Sequence, residues 1–353
     1  AIPAGWLHAF VMQYQMLPPF FFGFLLTVFP RWMNLPPLRR AQYLPVAGCL
    51  LVGQFLTLAG ISSLPLLRAG VLLGFLGWCW GVMLLGSLLL REAGRTWHAR
   101  SCLAALSVGI LGWIAFLRYL STADARWLFA SLQIGSTAML LPVFLTVCHR
   151  MIPFFAGAVI PGYVIIRPMW ALAAAWALLV LHTVLTLLHA YPWTWVADAP
   201  LTLLSAWLLW QWWNPAALQR PLLLVLFVGF AWLPVSMALH TAQSIVFVLS
   251  GQFVLGRAPL HALFVGCFGS LLVAMVTRVT QGHSGRPLQL GRIPAVCFML
   301  IQLVALLRIA SDMLPDPARW QAIAAAGWVL AFAPWVLRSA WIYLTPRVDG
   351  APG

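Results

Sequence analysis

Residues 221–249 read PLLLVLFVGFAWLPVSMALHTAQSIVFVL, without a single Asp, Glu, Lys or Arg. About 20 apolar residues suffice to carry an α-helix across the hydrocarbon core of a bilayer. This run is long enough to span and to tilt, and Pro234 within it predicts a kink. Working outward in both directions, the pattern recurs. Eleven such runs fall at about 6–30, 43–62, 66–90, 101–120, 126–148, 168–189, 194–213, 221–249, 259–280, 293–311 and 320–344. Asn34-Leu35-Pro36-Pro37, Asn214-Pro215 and Pro315-Asp316-Pro317 punctuate them, and Pro18-Pro19 predicts a break in the first. Hydrophobic residues are 63% of the 353 and charged residues only 7%, with a mean hydropathy of +0.95. A water-soluble domain carries about 25% charged residues, so the solvent is lipid. The expected fold is all-α, a polytopic membrane helix bundle forming one integral membrane domain over 1–353.

The 20 basic residues are all arginine, and the formal charge is +14. In a soluble chain that charge would suggest nucleic acid. Here the arginines stand singly between apolar runs, so they report topology, with no nucleic-acid partner. Connections following the odd-numbered runs hold Arg31, Arg39, Arg40, Arg91, Arg95, Arg100, Arg150, Arg167, Arg220, Arg278, Arg286, Arg292, Arg338 and Arg347. The opposite side holds Arg68, Arg118, Arg126, Arg257, Arg308 and Arg319. The positive-inside rule then predicts a cytoplasmic C-terminus, with residue 1 outside. That outside start, and the absence of an initiator Met, lead us to expect one further helix ahead of this numbering, giving twelve.

Twenty tryptophans fit the headgroup level of a bilayer. The six cysteines (Cys49, Cys79, Cys102, Cys148, Cys267, Cys297) lie mostly inside apolar runs with no CxxC spacing, which predicts free structural thiols.

No phosphate-binding Gly-rich loop, GxSxG, HExxH or pair of intramembrane carboxylates is present. The acidic residues lie in or near connections, which argues against a carboxylate-based proton pump. Histidines remain. The predicted topology puts His8, His182, His189, His240 and His261 in the outer half, and His98, His149 and His283 on the cytoplasmic side. Imidazole is costly in lipid unless it faces protein or a metal, and neutral imidazole is a usual haem and copper ligand. His8 and His261 open their helices at similar depth, as a haem clamp requires. Met12 follows His8 by one turn, and Met237 precedes His240 by three residues, placing thioether and imidazole on one face as soft Cu(I) prefers. The competing reading is ordinary: helix-end histidines bonded at the interface, and methionines packed in the core.

Gly282-His283-Ser284-Gly285-Arg286-Pro287 follows the ninth run directly. Its His283, Ser284 and Arg286 offer donors to an anion or a haem propionate. A helix-capping turn with an inside-positive anchor accounts for the same residues.

This segment carries a family resemblance. Leu260-His261-Ala262-Leu263-Phe264-Val265-Gly266, continuing through Val273-Ala274-Met275-Val276-Thr277-Arg278-Val279 to the Gly282–Leu288 turn, resembles the signature stretch of the NnrS family. Gly23-Phe24-Leu25-Leu26-Thr27 to Trp32 is similar to that family's "GFLLTAVPNW" helix end. Arg150-Met151-Ile152-Pro153-Phe154-Phe155 is similar to its "RVIPxF" connection, and Gly229-Phe230-Ala231-Trp232-Leu233-Pro234 to its "GYLWLP" kink. The resemblance implies a twelve-span bacterial membrane protein, associated with nitric oxide metabolism and nitrosative stress and carrying haem and copper.

The chain also departs from the family pattern. Where members read "WHAHEM", residues 7–12 here read LHAFVM, so His8 is retained while Phe10 and Val11 replace a histidine and a glutamate. Phe227 stands where a further histidine is expected. The leading expectation is a b-type haem on His8 and His261 of an inner-membrane protein acting in nitric oxide response or denitrification redox metabolism, with nitric oxide as its ligand. Copper at His8, His261, His240, Met12 and Met237 is the second cofactor implied, and the departures put it in greater doubt than haem. The alternative is a non-catalytic accessory subunit of a respiratory oxidase or nitric oxide reductase complex. A transporter ranks last, because no internal repeat is visible.

Overall fold

The computed structural model describes residues 2–92 and 94–350. Among them eleven long helical elements follow in order: α1 Ala4–Trp32, α2 Arg40–Ser62, α3 Leu64–Leu89, α4 Trp97–Thr122, α5 Ala125–Val159, α6 Met169–Leu187, α7 Trp195–Trp212, α8 Pro221–Ser250, α9 Ala258–His283, α10 Arg292–Ala310 and α11 Pro317–Leu344. They coincide with the eleven apolar runs, and the described residues contain no strand. Ten are long and apolar enough to cross a membrane. The exception is α7, whose 18 residues include Trp195, Trp207, Trp210, Trp212, Asp198 and Gln211. The protein is a multi-pass, all-α membrane protein.

Two differences from expectation have local causes. Helix α5 continues past residue 148 to Val159, because Arg150 and Pro153 lie within a helix that Pro does not break. Three stretches are wound as π-helix: Val11–Met16 in α1, Ile134–Leu140 in α5 and Ala262–Gly269 in α9. Proline explains two of these. Pro18 and Pro19 have no N–H to give Tyr14 and Gln15, and Pro142 has none for Ala138. The preceding turns widen to i→i+5 bonding: Leu17 N–H donates to Met12 O at 3.3 Å, and Leu141 N–H to Ser136 O. The expected interruption at Pro18-Pro19 falls at Leu17, and Pro18 restarts the helix from its first position.

Packing divides the chain into two units. The first runs to Val147 and includes His182–His189; the second comprises Cys148–Leu181 and everything from Ala190 onward. In lipid the hydrophobic effect does not drive helices together, so small residues and buried polar contacts must. In the first unit, α3 presents Gly70, Gly74, Gly77 and Gly81 on one face. A methyl group on Gly70 would lie 2.4 Å from the Thr57 backbone nitrogen, and one on Gly53 would lie 2.6 Å from that of Gly74. Helices α2 and α3 therefore touch backbone to backbone. Beside them Phe10, Tyr14, Trp78, Trp113 and Phe116 are fully buried, with the Phe10 and Phe116 rings stacked at 3.5 Å. Trp78 Nε1 donates to Leu106 O at 2.9 Å.

In the second unit α8 packs against α7 and α9, and α10 against α11. Trp232 Nε1 donates to Gln302 Oε1 at 2.7 Å, and Gln302 Nε2 donates to Ser270 Oγ at 2.7 Å. This pair of bonds ties α8, α10 and α9 together. Trp335 Nε1 donates to Thr277 Oγ1 at 2.9 Å, joining α11 to α9. Trp78, Trp113, Trp212 and Trp335 are thus buried in protein, whereas Trp97, Trp127, Trp193, Trp195 and Trp213 are exposed at or near helix ends.

Candidate functional site

The end of the second unit that holds the 251–257 connection brings two of the expected histidines to neighbouring elements. Ser236, fully buried on α8, donates to Pro259 O at 2.9 Å. His240 lies one turn beyond Ser236, and His261 two residues beyond Pro259. Nδ1 of His261 lies 2.9 Å from Arg257 O, and Nδ1 of His240 lies 2.9 Å from Ser236 O. A carbonyl oxygen only accepts, so both Nδ1 atoms carry the hydrogen, and in the neutral rings Nε2 carries the lone pair. Metal-binding imidazoles are oriented in the same way, their second nitrogen donating to a carbonyl or carboxylate.

The surrounding connection is held by its own bonds. Leu255 N–H donates to Gln243 Oε1 at 2.8 Å, and Arg257 N–H donates to Asp312 Oδ2 at 2.9 Å. Asp312 also accepts from Arg308 Nη1 at 2.8 Å and Gln321 Nε2 at 3.0 Å. Burial would raise the Asp312 pKa. The Arg308 hydrogen bond and charge, the Arg257 N–H and the nearby His261 outweigh it and hold the carboxyl below its ordinary value.

Met237 is fully buried on α8, three residues before the half-buried His240. That supplies one thioether and one imidazole. Among the described residues no three of His, Cys, Asp or Glu gather where they could hold a metal ion, so this donor set is short of a copper site. Imidazole is among the side chains that hold haem iron, and the chemistry of His261 and His240 would fit that role.

The other expected residues are placed as follows. His8 is exposed near the start of α1, and Met12 is half-buried in its π-helical stretch. Phe10 is stacked on Phe116, and Phe227 meets Trp213 edge-on at 5.3 Å. Two of the three positions that differ from the family pattern, Phe10 and Phe227, therefore serve packing. His182 is buried, and His189 adopts φ 55° with its ring 5.0 Å from that of Phe129. His149 is fully buried, its Nε2 3.2 Å from Pro168 O. His283 is exposed, while Arg286 is half-buried over the Trp341 ring at 5.6 Å. All six cysteines are free thiols.

Composition and motif did not reveal the polar interior of the first unit. The π turns of α1 turn Gln13, Tyr14 and Gln15 inward, where all three are buried. Tyr14 Oη donates to Ser131 O at 2.7 Å, and Gln15 Nε2 donates to Thr57 Oγ1 at 2.7 Å. Among the described residues Gln13 Oε1, Ser131 Oγ and Trp113 Nε1 are buried without a hydrogen-bond partner. The signal was two glutamines in an apolar run, followed at once by Pro18-Pro19. Asp198, expected near a connection, is fully buried in the first turn of α7, where the positive end of the helix favours a carboxylate.

No curated protein and no solved structure matches this sequence. A family model, described as NnrS protein, matches residues 1–347. With that match extending over both units and through the His261 and Arg286 segments, the chain belongs to the NnrS family.

Proposed function

We propose that this protein binds b-type haem in the bacterial inner membrane and acts in nitric oxide response or related redox metabolism, with His261 as a residue that would hold the haem. The supporting observation is the His261 ring itself: Nδ1–H is bonded to Arg257 O, which leaves the lone pair on Nε2. Family membership supports the link to nitric oxide, and His8 is the second histidine that the family motif offers as a residue to hold haem. Haem would supply an iron centre able to take up a small diatomic ligand. Nitric oxide partitions into lipid and would reach such a centre without an aqueous channel.

The chain's own residues act on orientation and basicity. Arg257 O fixes the ring and raises the basicity of Nε2. Asp312, bonded to Arg257 N–H, fixes Arg257 in turn. His240, next to the Ser236–Pro259 link, is the alternative second ligand.

Oxidised and dithionite-reduced visible spectra of the purified protein test this reading. A Soret band is expected, with haem content falling to a small fraction in His261→Ala and in His8→Ala. His182→Ala and His189→Ala should change it little. Full occupancy in both His8→Ala and His261→Ala proteins sinks the assignment, and loss in His240→Ala with retention in His8→Ala moves the second ligand to His240.

A second reading is favoured by Phe10 and Phe227, which pack as core aromatics where the family resemblance leads to histidine. In that reading the chain is a cofactor-free accessory subunit of a respiratory oxidase or nitric oxide reductase complex. A haem-free preparation that retains stoichiometric partner subunits would decide for it.

A further inference from the structure

The turn after α9 and the last turns of α11 hold two arginines whose charge no acidic group among the described residues neutralises. Among those residues, Nη1 of Arg286 and Nη1 of Arg338 are both buried without a hydrogen-bond partner. Arg286 lies over the ring of Trp341 at 5.6 Å. Trp341 is three residues beyond Arg338 on α11, so the two share a face of the helix. The Trp341 ring thus brings the Arg286 guanidinium to the face of α11 that carries Arg338. Guanidinium does not shed its proton in proteins, so this is a standing pair of like charges. Asp349 lies against Gly285, but Arg347 holds its carboxylate through Nε at 2.9 Å and Nη2 at 2.5 Å.

Buried cationic donors without an acceptor are strongly disfavoured, and an anion between the two guanidiniums would satisfy both. The border of the site says which kind. Leu288, Leu337, Trp341 and Leu344 are all exposed large apolar side chains, which in a bilayer face acyl chains. Gln281 closes the same turn, its backbone carbonyl accepting from Arg286 N–H at 3.0 Å. Its side-chain Oε1 is a buried acceptor without a donor, so a headgroup carrying hydroxyls as well as phosphate suits the turn. We propose that Arg286 and Arg338 bind the phosphodiester headgroup of an anionic phospholipid, of which phosphatidylglycerol is the probe. Planar guanidinium matches phosphate oxygens in pairs, and basic pockets between membrane helices hold anionic headgroups in this way.

The test uses the full chain in detergent supplemented with phosphatidylglycerol, phosphatidylcholine or inorganic phosphate. Native mass spectrometry reads lipid retention and thermal unfolding reads protection. Wild type should retain and be protected by phosphatidylglycerol well beyond phosphatidylcholine. Arg286→Gln and Arg338→Gln should each lower retention about tenfold, the loss of one charge-assisted contact, whereas the exposed Arg319→Gln should not. Haem content is read alongside and should be unchanged in Arg338→Gln; haem and lipid lost together in Arg286→Gln would overturn the lipid assignment for Arg286. Should Arg338→Gln fail to fold, Arg338→Lys keeps the charge without the fork and should weaken retention. Equal retention of the two lipids by wild type overturns the proposal, as does equal protection by inorganic phosphate.

Discussion

Asp312 occupies the connection between α10 and α11 and accepts from Arg257, Arg308 and Gln321. Its pKa is lowered in the folded protein, so these contacts stabilise fully above the unfolded carboxylate value and weaken as pH falls through the folded one. Thermal stability in detergent should be level from neutral pH down to about 5 and decline below about 4. Asp312→Asn should lower stability at neutral pH by about 1–3 kcal/mol, because Arg308 keeps a buried charge, and it should flatten the acid limb. An unchanged acid limb in that variant would show that the carboxylate is not what titrates. At this scale the sequence was uneven as a guide. The histidines and arginines stood out, since any polar residue in an apolar run is conspicuous. What bonds each one was hidden, because the carbonyls that orient His240 and His261 belong to backbone that any sequence has. Arg338 was visible only as a topological charge; its pairing with Arg286 arises from distant parts of the chain.

Helices were the most legible level, since a run of about 20 apolar residues has one stable outcome in lipid. The eleven observed elements follow the predicted runs closely. Residue 148, taken as the end of the fifth run, failed because polarity rather than backbone geometry set the boundary. The glycine face of α3 carries a direct prediction. Gly70→Ala would push a methyl into the Thr57 backbone, where neither side has a flexible end to move, and should cost about 1–3 kcal/mol. Gly23, on α1, has nothing within 4 Å of an added methyl, and Gly23→Ala should be neutral or gain up to about 1 kcal/mol of helix propensity. Equal melting shifts for the two variants would contradict the close approach of α2 and α3.

Across the whole molecule, the distribution of arginines makes a prediction about orientation. It predicts a cytoplasmic C-terminus, so a reporter fused after Arg347 should behave as cytoplasmic, and one inserted in the Tyr191–Trp193 turn as periplasmic. The reverse pattern would invert the positive-inside assignment. The tryptophans show where whole-chain composition misleads. Indole suits an interface, but it also donates one hydrogen bond, and Trp78, Trp212, Trp232 and Trp335 spend that bond joining segments of the bundle. The π-wound turns bear on how such a chain can change over generations. Each holds more residues than an α-helix of the same rise, so losing one codon between 262 and 269 could restore regular winding and leave α9 unbroken. The segments carrying His261 and Thr277 would then keep nearly the same relative orientation, because the wide turns absorb the residue that the deletion removes. Losing one residue should therefore be tolerated in that stretch, whereas in the regular turns on either side it would rotate one segment against the other by roughly 100°.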